Sequence, residues 1–161
     1  MQIPVYVFTG FIKSGKTKFI QETFEDERFN DGTRTLLLVC EKGREQYDSS
    51  TYPHACVYLE QIEQEKVTTE ELDALQKKHH AKRVVVELNG MQLVGDFYQK
   101  MPQEWVIAQE VMFADSTTIQ AFNANLRNLV VDKLSGCEMV VFNRVKKGAD
   151  TMPLHKLARA V

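Results

Sequence analysis

No apolar run in this 161-residue chain approaches the roughly 20 residues that a membrane span requires. The start, Met1-Gln2-Ile3-Pro4, leads straight into an apolar segment and lacks the basic-then-apolar pattern of a signal peptide. Charge of one sign is not in excess: 20 basic and 22 acidic residues leave a net charge of −2, which gives no general reason to expect nucleic acid or a membrane surface as partner. Cysteine is scarce. Cys40, Cys56 and Cys137 are odd in number and widely spaced, which argues against a disulfide framework and supplies no ready-made zinc set. Repeats and low-complexity linkers are lacking, as are a Ser-His-Asp or Cys-His nucleophile set and an arginine-rich lid of the kind a small-molecule kinase carries. A cytoplasmic location is the expectation that these absences leave.

What is present is 43% hydrophobic and 26% charged, the balance of a globular protein, and 161 residues suit one domain. Apolar runs at 3–8, 34–40, 55–59, 83–88, 105–114 (chiefly 110–114) and 138–142 read as strands. They alternate with helical segments at 16–26, 68–80, 91–100, 115–134 and from Pro153 onward. Thr68 and Glu71 have the spacing of a capping box. The near-continuous apolar runs fit strands buried on both faces. The alternation implies an α/β fold, a mostly parallel sheet with helices on both faces. Its end close to a helix, without a tail, is what a nucleotide-binding domain taken from a longer chain would show.

The strongest local signal is Gly10-Phe11-Ile12-Lys13-Ser14-Gly15-Lys16-Thr17, which satisfies G-x-x-x-x-G-K-[ST] between a strand and a helix. In such a loop backbone N–H groups converge on phosphate oxygens at a helix N-terminus. Gly10 and Gly15 allow close approach, Lys16 reaches the β- and γ-phosphates, and Thr17 offers a hydroxyl to Mg²⁺. Lys13 either adds charge near the phosphates or points to solvent. Glu87 ends the strand 83–88, at the sheet end where α/β proteins bind ligands, and suits a carboxylate that holds Mg²⁺ or orients water. Asp115 reads as a helix cap. In the polar stretch after residue 40, Glu41 and Asp48 are candidates for direct or water-mediated Mg²⁺ contact. Asn143 could hydrogen-bond a purine base, and Arg144 either stacks on it or covers the sheet edge.

Together these residues resemble CobW-type GTPases, relatives of the metallochaperones UreG and HypB. Pro4-Val5-Tyr6-Val7-Phe8-Thr9 followed by Gly10–Thr17 is similar to that family's opening. Glu41…Gly43…Asp48 is similar to its switch region, Glu87-Leu88-Asn89-Gly90 to its "E-x-x-G", Ala114-Asp115 to its "V-D-A", and Val140–Arg144 to its "N-K-x-D". The resemblance implies a P-loop NTPase fold and a Mg²⁺-dependent switch that hydrolyses GTP slowly and handles metal or cofactor, typically zinc or cobalt. Expected partners are a nucleoside triphosphate, a C-terminal domain or client metalloprotein, and a second copy. Catalytic roles then fall to Lys16 and Glu87, ligand binding to Gly10, Lys13, Ser14, Gly15, Lys16, Thr17, Asn143 and Arg144, and the cation to Thr17, Glu41 and Glu87.

Three departures limit the resemblance. Only Cys56 remains where the family's "C-x-C-C" would fall, against metal carriage through that motif. Lys146 stands where an aspartate reads guanine, so GTP is favoured by the resemblance and ATP stays possible. The family's C-terminal domain is not in this sequence. A non-catalytic nucleotide-binding or protein-interaction module is the alternative these losses motivate.

Overall fold

The computed structural model describes residues 1–40 and 46–160. Six strands pair in the order β3-β2-β4-β1-β5-β6, and every pairing is parallel. The strands are β1 (Ile3–Gly10), β2 (Thr35–Val39), β3 (Val57–Gln61), β4 (Arg83–Glu87), β5 (Trp105–Asp115) and β6 (Met139–Asn143). The helices are α1 (Lys16–Glu25), α2 (Thr69–Lys78), α3 (Val94–Tyr98), α4 (Ile119–Asn125), α5 (Arg127–Gly136) and α6 (Met152–Arg159). The fold is the α/β arrangement expected, a parallel sheet flanked by helices.

Period-two alternation divides the core between the two faces. Phe8, Leu37, Val39, Val85, Val111 and Phe113 pack with Ile20 and Phe24 of α1. Val5, Val7, Leu36, Leu38, Val84 and Val86 pack with Leu72 of α2 and with Val94 and Phe97 of α3. A third cluster joins Met112 and Ala114 of β5 to Ile119, Leu129, Val130, Leu134, Leu154 and Leu157 of the last three helices. All five residues of β2 and of β4 are buried, which is why these strands read as unbroken apolar runs.

Some boundaries differ from the sequence expectation. The strand β5 runs its whole length, because its first half pairs with Ile3–Val5 before a register shift between Val5 and Tyr6. The single helix expected over 115–134 is two, broken at Leu126, whose φ of −132° and ψ of 46° are not helical. β3 lies two residues later than its apolar letters suggest. Thr68 does cap α2, its hydroxyl accepting from the Glu71 N–H at 3.1 Å.

This topology positions the site. The chain leaves β1 for β2, β3 and β4 on one side and returns for β5 and β6 on the other, so β1 sits where the winding reverses. Ligands of open parallel sheets bind beyond the carboxyl ends of the strands at such a point. The residues closing β1, β4, β5 and β6 are Gly10, Glu87, Asp115 and Asn143.

Candidate nucleotide-binding site

The loop from Gly10 to Gly15 is shaped by backbone requirements. Gly10 has φ 133°, and a Cβ there would lie 2.2 Å from the Phe113 carbonyl oxygen. Gly15 has φ 98°, and its Cβ would meet the Asn143 amide at 2.1 Å. Neither position admits another residue without displacement of its neighbour. Lys13 also adopts a left-handed conformation, φ 60°, which costs a residue with a Cβ about 1 kcal/mol. Its side chain is exposed, and its carbonyl accepts from the Arg144 guanidinium at 2.6 Å. Lys13 is therefore fixed through its backbone.

The loop holds features that fit phosphate. Ser14 is 3% exposed, and its Oγ has no hydrogen-bond partner although it is buried. That hydroxyl lies over Gly10, 3.0 Å from where a Cβ would stand. A buried hydroxyl without a partner is costly, and a phosphate oxygen would satisfy it. The N-terminus of α1 begins at Lys16 with Gly15 as its cap and no side-chain cap, so its amides and dipole face the loop. Lys16 is buried; its Nζ donates to the Gly10 carbonyl and, at 3.3 Å, to the Leu88 carbonyl. That places its charge between the loop and the end of β4.

Thr17 and Glu87 lie beside it. The Thr17 hydroxyl donates to Glu87 Oε1 at 2.8 Å, and Glu87 is 4% exposed. A hydroxyl and a carboxylate oxygen are the hard donors that suit Mg²⁺ rather than a softer ion. The second carboxylate oxygen, Oε2, accepts from the Tyr47 hydroxyl. Burial, then the neighbouring Glu87 charge, push the Tyr47 phenol far above its ordinary value of 10, so it stays protonated and donates. Tyr47 was not among the residues the sequence pointed to. It is one aromatic letter in a polar stretch without periodicity, and nothing local marks it as reaching Glu87, 40 residues away.

The remaining candidates resolve differently. Glu41 falls outside the described residues. The Asp48 carboxylate accepts from the Ser50 N–H at 3.0 Å and caps the turn Ser49–Thr51. Asn143 donates its amide to the Ser14 carbonyl, and Arg144, at φ 59°, binds the Lys13 carbonyl and Asp115. Both residues thus hold the loop from the β6 side. Asp115 was expected to cap a helix. Instead it accepts from the Thr117 N–H at 2.9 Å in a turn, while α4 starts after Thr118 without a side-chain cap. Burial pushes the Asp115 carboxyl up, but its bonds to Thr117 and Arg144 outweigh this and hold it below the usual value.

A cleft of about 310 Å³ opens beside the loop, lined by Lys18, Phe19, Glu22, Asn143 and Arg144 among others. The Phe19 ring and the Arg144 guanidinium are flat groups of the kind on which a base stacks. Cys56 lies at the other end of the sheet, just before β3, where its thiol donates to Asn30 Oδ1 at 3.0 Å. Among the described residues no group of three or more His, Cys, Asp or Glu could hold a metal ion. No helix among them is long and apolar enough to cross a membrane.

No family model matches the sequence, and no curated protein matches it. Solved structures do. The Zn(II)-bound YjiA GTPase from E. coli superposes with a TM-score of 0.68 at 17% identity, over 98% of this chain and 54% of that one. The hydrogenase maturation factor HypB from Archaeoglobus fulgidus superposes with a TM-score of 0.65 at 17% identity, over 99% of this chain and 76% of that one. This chain thus spans about half the length of the YjiA GTPase. At this identity the likeness establishes the fold alone, an α/β arrangement of parallel sheet and flanking helices shared with these two proteins.

Proposed function

We propose that this chain is a Mg²⁺-dependent nucleoside triphosphate switch of the CobW/HypB kind, hydrolysing its nucleotide slowly and acting in metal or cofactor handling. The observation that carries the reading is the buried, partnerless Ser14 hydroxyl over Gly10, beside Lys16 and the Thr17–Glu87 pair. A fold likeness alone would leave that cradle without a purpose.

Gly10, Ser14, Gly15 and the first turn of α1 bind and orient the phosphates. Lys16 leaves its carbonyl partners for phosphate oxygens, an exchange of neutral acceptors for charged ones. Thr17 and Glu87 would hold Mg²⁺, which supplies charge neutralisation on the phosphates when bound. Glu87 also serves to orient the attacking water. By analogy with P-loop switches, a charge-offsetting arginine from a partner, a further domain or a second copy speeds the reaction, and turnover by this chain alone is slow.

The nucleotide is GTP by likeness to the YjiA GTPase. ATP remains a substrate to test because Lys146, an exposed residue, stands where a carboxylate would read guanine. Titration calorimetry with GTP and with ATP, each with and without Mg²⁺, tests the reading, and phosphate release under the same conditions tests hydrolysis. Binding of at least one nucleotide is expected, strengthened by Mg²⁺. No binding of either near cellular concentrations overturns the reading. Binding without phosphate release favours the non-catalytic module.

A further inference from the structure

Glu87 has two carboxylate oxygens, and both accept hydrogen bonds: Oε1 from Thr17 and Oε2 from Tyr47. Tyr47 comes from the segment between β2 and β3, and its ring packs against the cluster formed by Phe8, Val39 and Val85 with α1. The same segment is tied to α1 by further hydrogen bonds. The Asp48 N–H donates to Gln21 Oε1 at 3.0 Å, Gln21 Nε2 donates to the Asp48 carbonyl at 2.8 Å, and the Tyr52 hydroxyl donates to Gln21 Oε1 at 2.8 Å. Of these ties only the one to Glu87 reaches a buried charge, where a hydrogen bond counts for more than at the surface.

We infer that Tyr47 is a positioning residue that competes with the divalent cation for Glu87. The inference rests on the reading of Thr17 and Glu87 as the cation seat. A cation drawn to Thr17 Oγ1 and Glu87 needs carboxylate lone pairs, and one oxygen is already engaged by the Tyr47 hydroxyl. Cation capture and release of Tyr47 are then one exchange: the Tyr47 O–H···Oε2 bond breaks, the carboxylate turns to the cation, and no proton is transferred. The segment 46–52 loses its tie to Glu87 while its Gln21 contacts remain. In this way the occupancy of the cation seat is communicated to the stretch after β2. The cost of the exchange lowers cation affinity, as any ligand binding a less favoured arrangement does.

The test compares wild type with Tyr47→Phe, which keeps the ring and its packing and removes the donor. GDP and ADP are titrated calorimetrically in EDTA and over a series of MgCl₂ concentrations. Tyrosine near-ultraviolet absorption is followed during MgCl₂ addition to the nucleotide-bound protein. The expected results are a Mg²⁺ midpoint about tenfold lower in Tyr47→Phe, with the difference vanishing in EDTA, and a Mg²⁺-induced tyrosine difference spectrum that the variant loses. An unchanged or higher midpoint in a variant with wild-type circular dichroism overturns the inference while leaving the nucleotide reading intact. No binding of either nucleotide by wild type, with or without Mg²⁺, overturns that reading and this inference with it.

Discussion

Glu87 and Glu110 are both buried in the sheet, at 4% and 3% exposure, and each accepts a hydrogen bond from a tyrosine: Tyr47 for Glu87 and Tyr98 for Glu110. Their surroundings differ. Glu87 closes β4 at the carboxyl end of the sheet, with Thr17 on its other oxygen and Lys16 at the neighbouring Leu88 carbonyl. Glu110 sits inside β5, paired with Val7 in the middle of β1, and its Oε2 has no partner. Burial pushes the Glu110 carboxyl above its ordinary value despite the Tyr98 bond, so the fold holds it protonated over a wider pH range than the unfolded chain does. A buried carboxylate is thus not by itself a functional mark. The useful signs are the strand end and the company of a hydroxyl and a lysine.

Five variants break or sharpen this contrast. The largest effect is expected from Lys16→Ala, which removes the cation that phosphate oxygens would meet. Nucleotide affinity by calorimetry should fall by about a hundredfold, the loss of a charged hydrogen-bonded partner, with a thermal midpoint near wild type. Next comes the matched pair Glu87→Gln and Glu110→Gln. The first should abolish the Mg²⁺ dependence of nucleotide binding, and the second should leave that dependence as it is.

The Glu110→Gln readout is stability against pH instead. With a raised native pKa, Glu110 contributes stability that is full below its unfolded value near 4.5 and is lost as pH rises through the higher native value. Urea melts of wild type should therefore weaken over that interval, and those of Glu110→Gln should be flatter. Tyr98→Phe is a smaller change. It removes one buried hydrogen bond at a cost of about 1 kcal/mol, some 2–4 °C in a domain of this size. It should also extend that loss to higher pH, because the Tyr98 bond favours the charged form of Glu110 and its removal raises the native value further. The smallest effect is Lys13→Gly. Relief of the left-handed strain, offset by the added chain entropy of glycine, should leave stability within about 1 kcal/mol of wild type. Unchanged nucleotide affinity in that variant would show that the Lys13 charge has no part in binding, and a loss would show that it has one.

Much of this was legible in the letters where the causes are local. The P-loop is eight consecutive residues, and its geometry follows from two glycines and the helix after them. The strands β2 and β4 were legible because burial on both faces makes them continuously apolar. The edges were less so. β3 has no buried residue, and its boundary was set by pairing with β2 rather than by composition. The break at Leu126 was hidden because the apolar period continues across it: Phe122, Leu126 and Val130 all face the same cluster.

The site divides along the same line. The sequence by itself determined a glycine-bounded loop ahead of a helix N-terminus, the proposed phosphate grip, since Gly10–Thr17 carries its backbone instructions within one turn of chain. It also determined that strands and helices alternate, from which a parallel sheet follows. Only the tertiary structure decided what surrounds the grip. Parallel strands bring their carboxyl ends to one edge, and this sets Glu87, Asn143, Arg144 and Tyr47 around the loop across separations of 40 to 131 residues. It gave Asn143 and Arg144 the loop backbone to hold, turned Asp48 and Asp115 into turn residues, and put Cys56 at the far end of the sheet. The physical reason is that a side chain's chemistry belongs to the residue, whereas its partners belong to whatever the sheet delivers within about 3 Å of it.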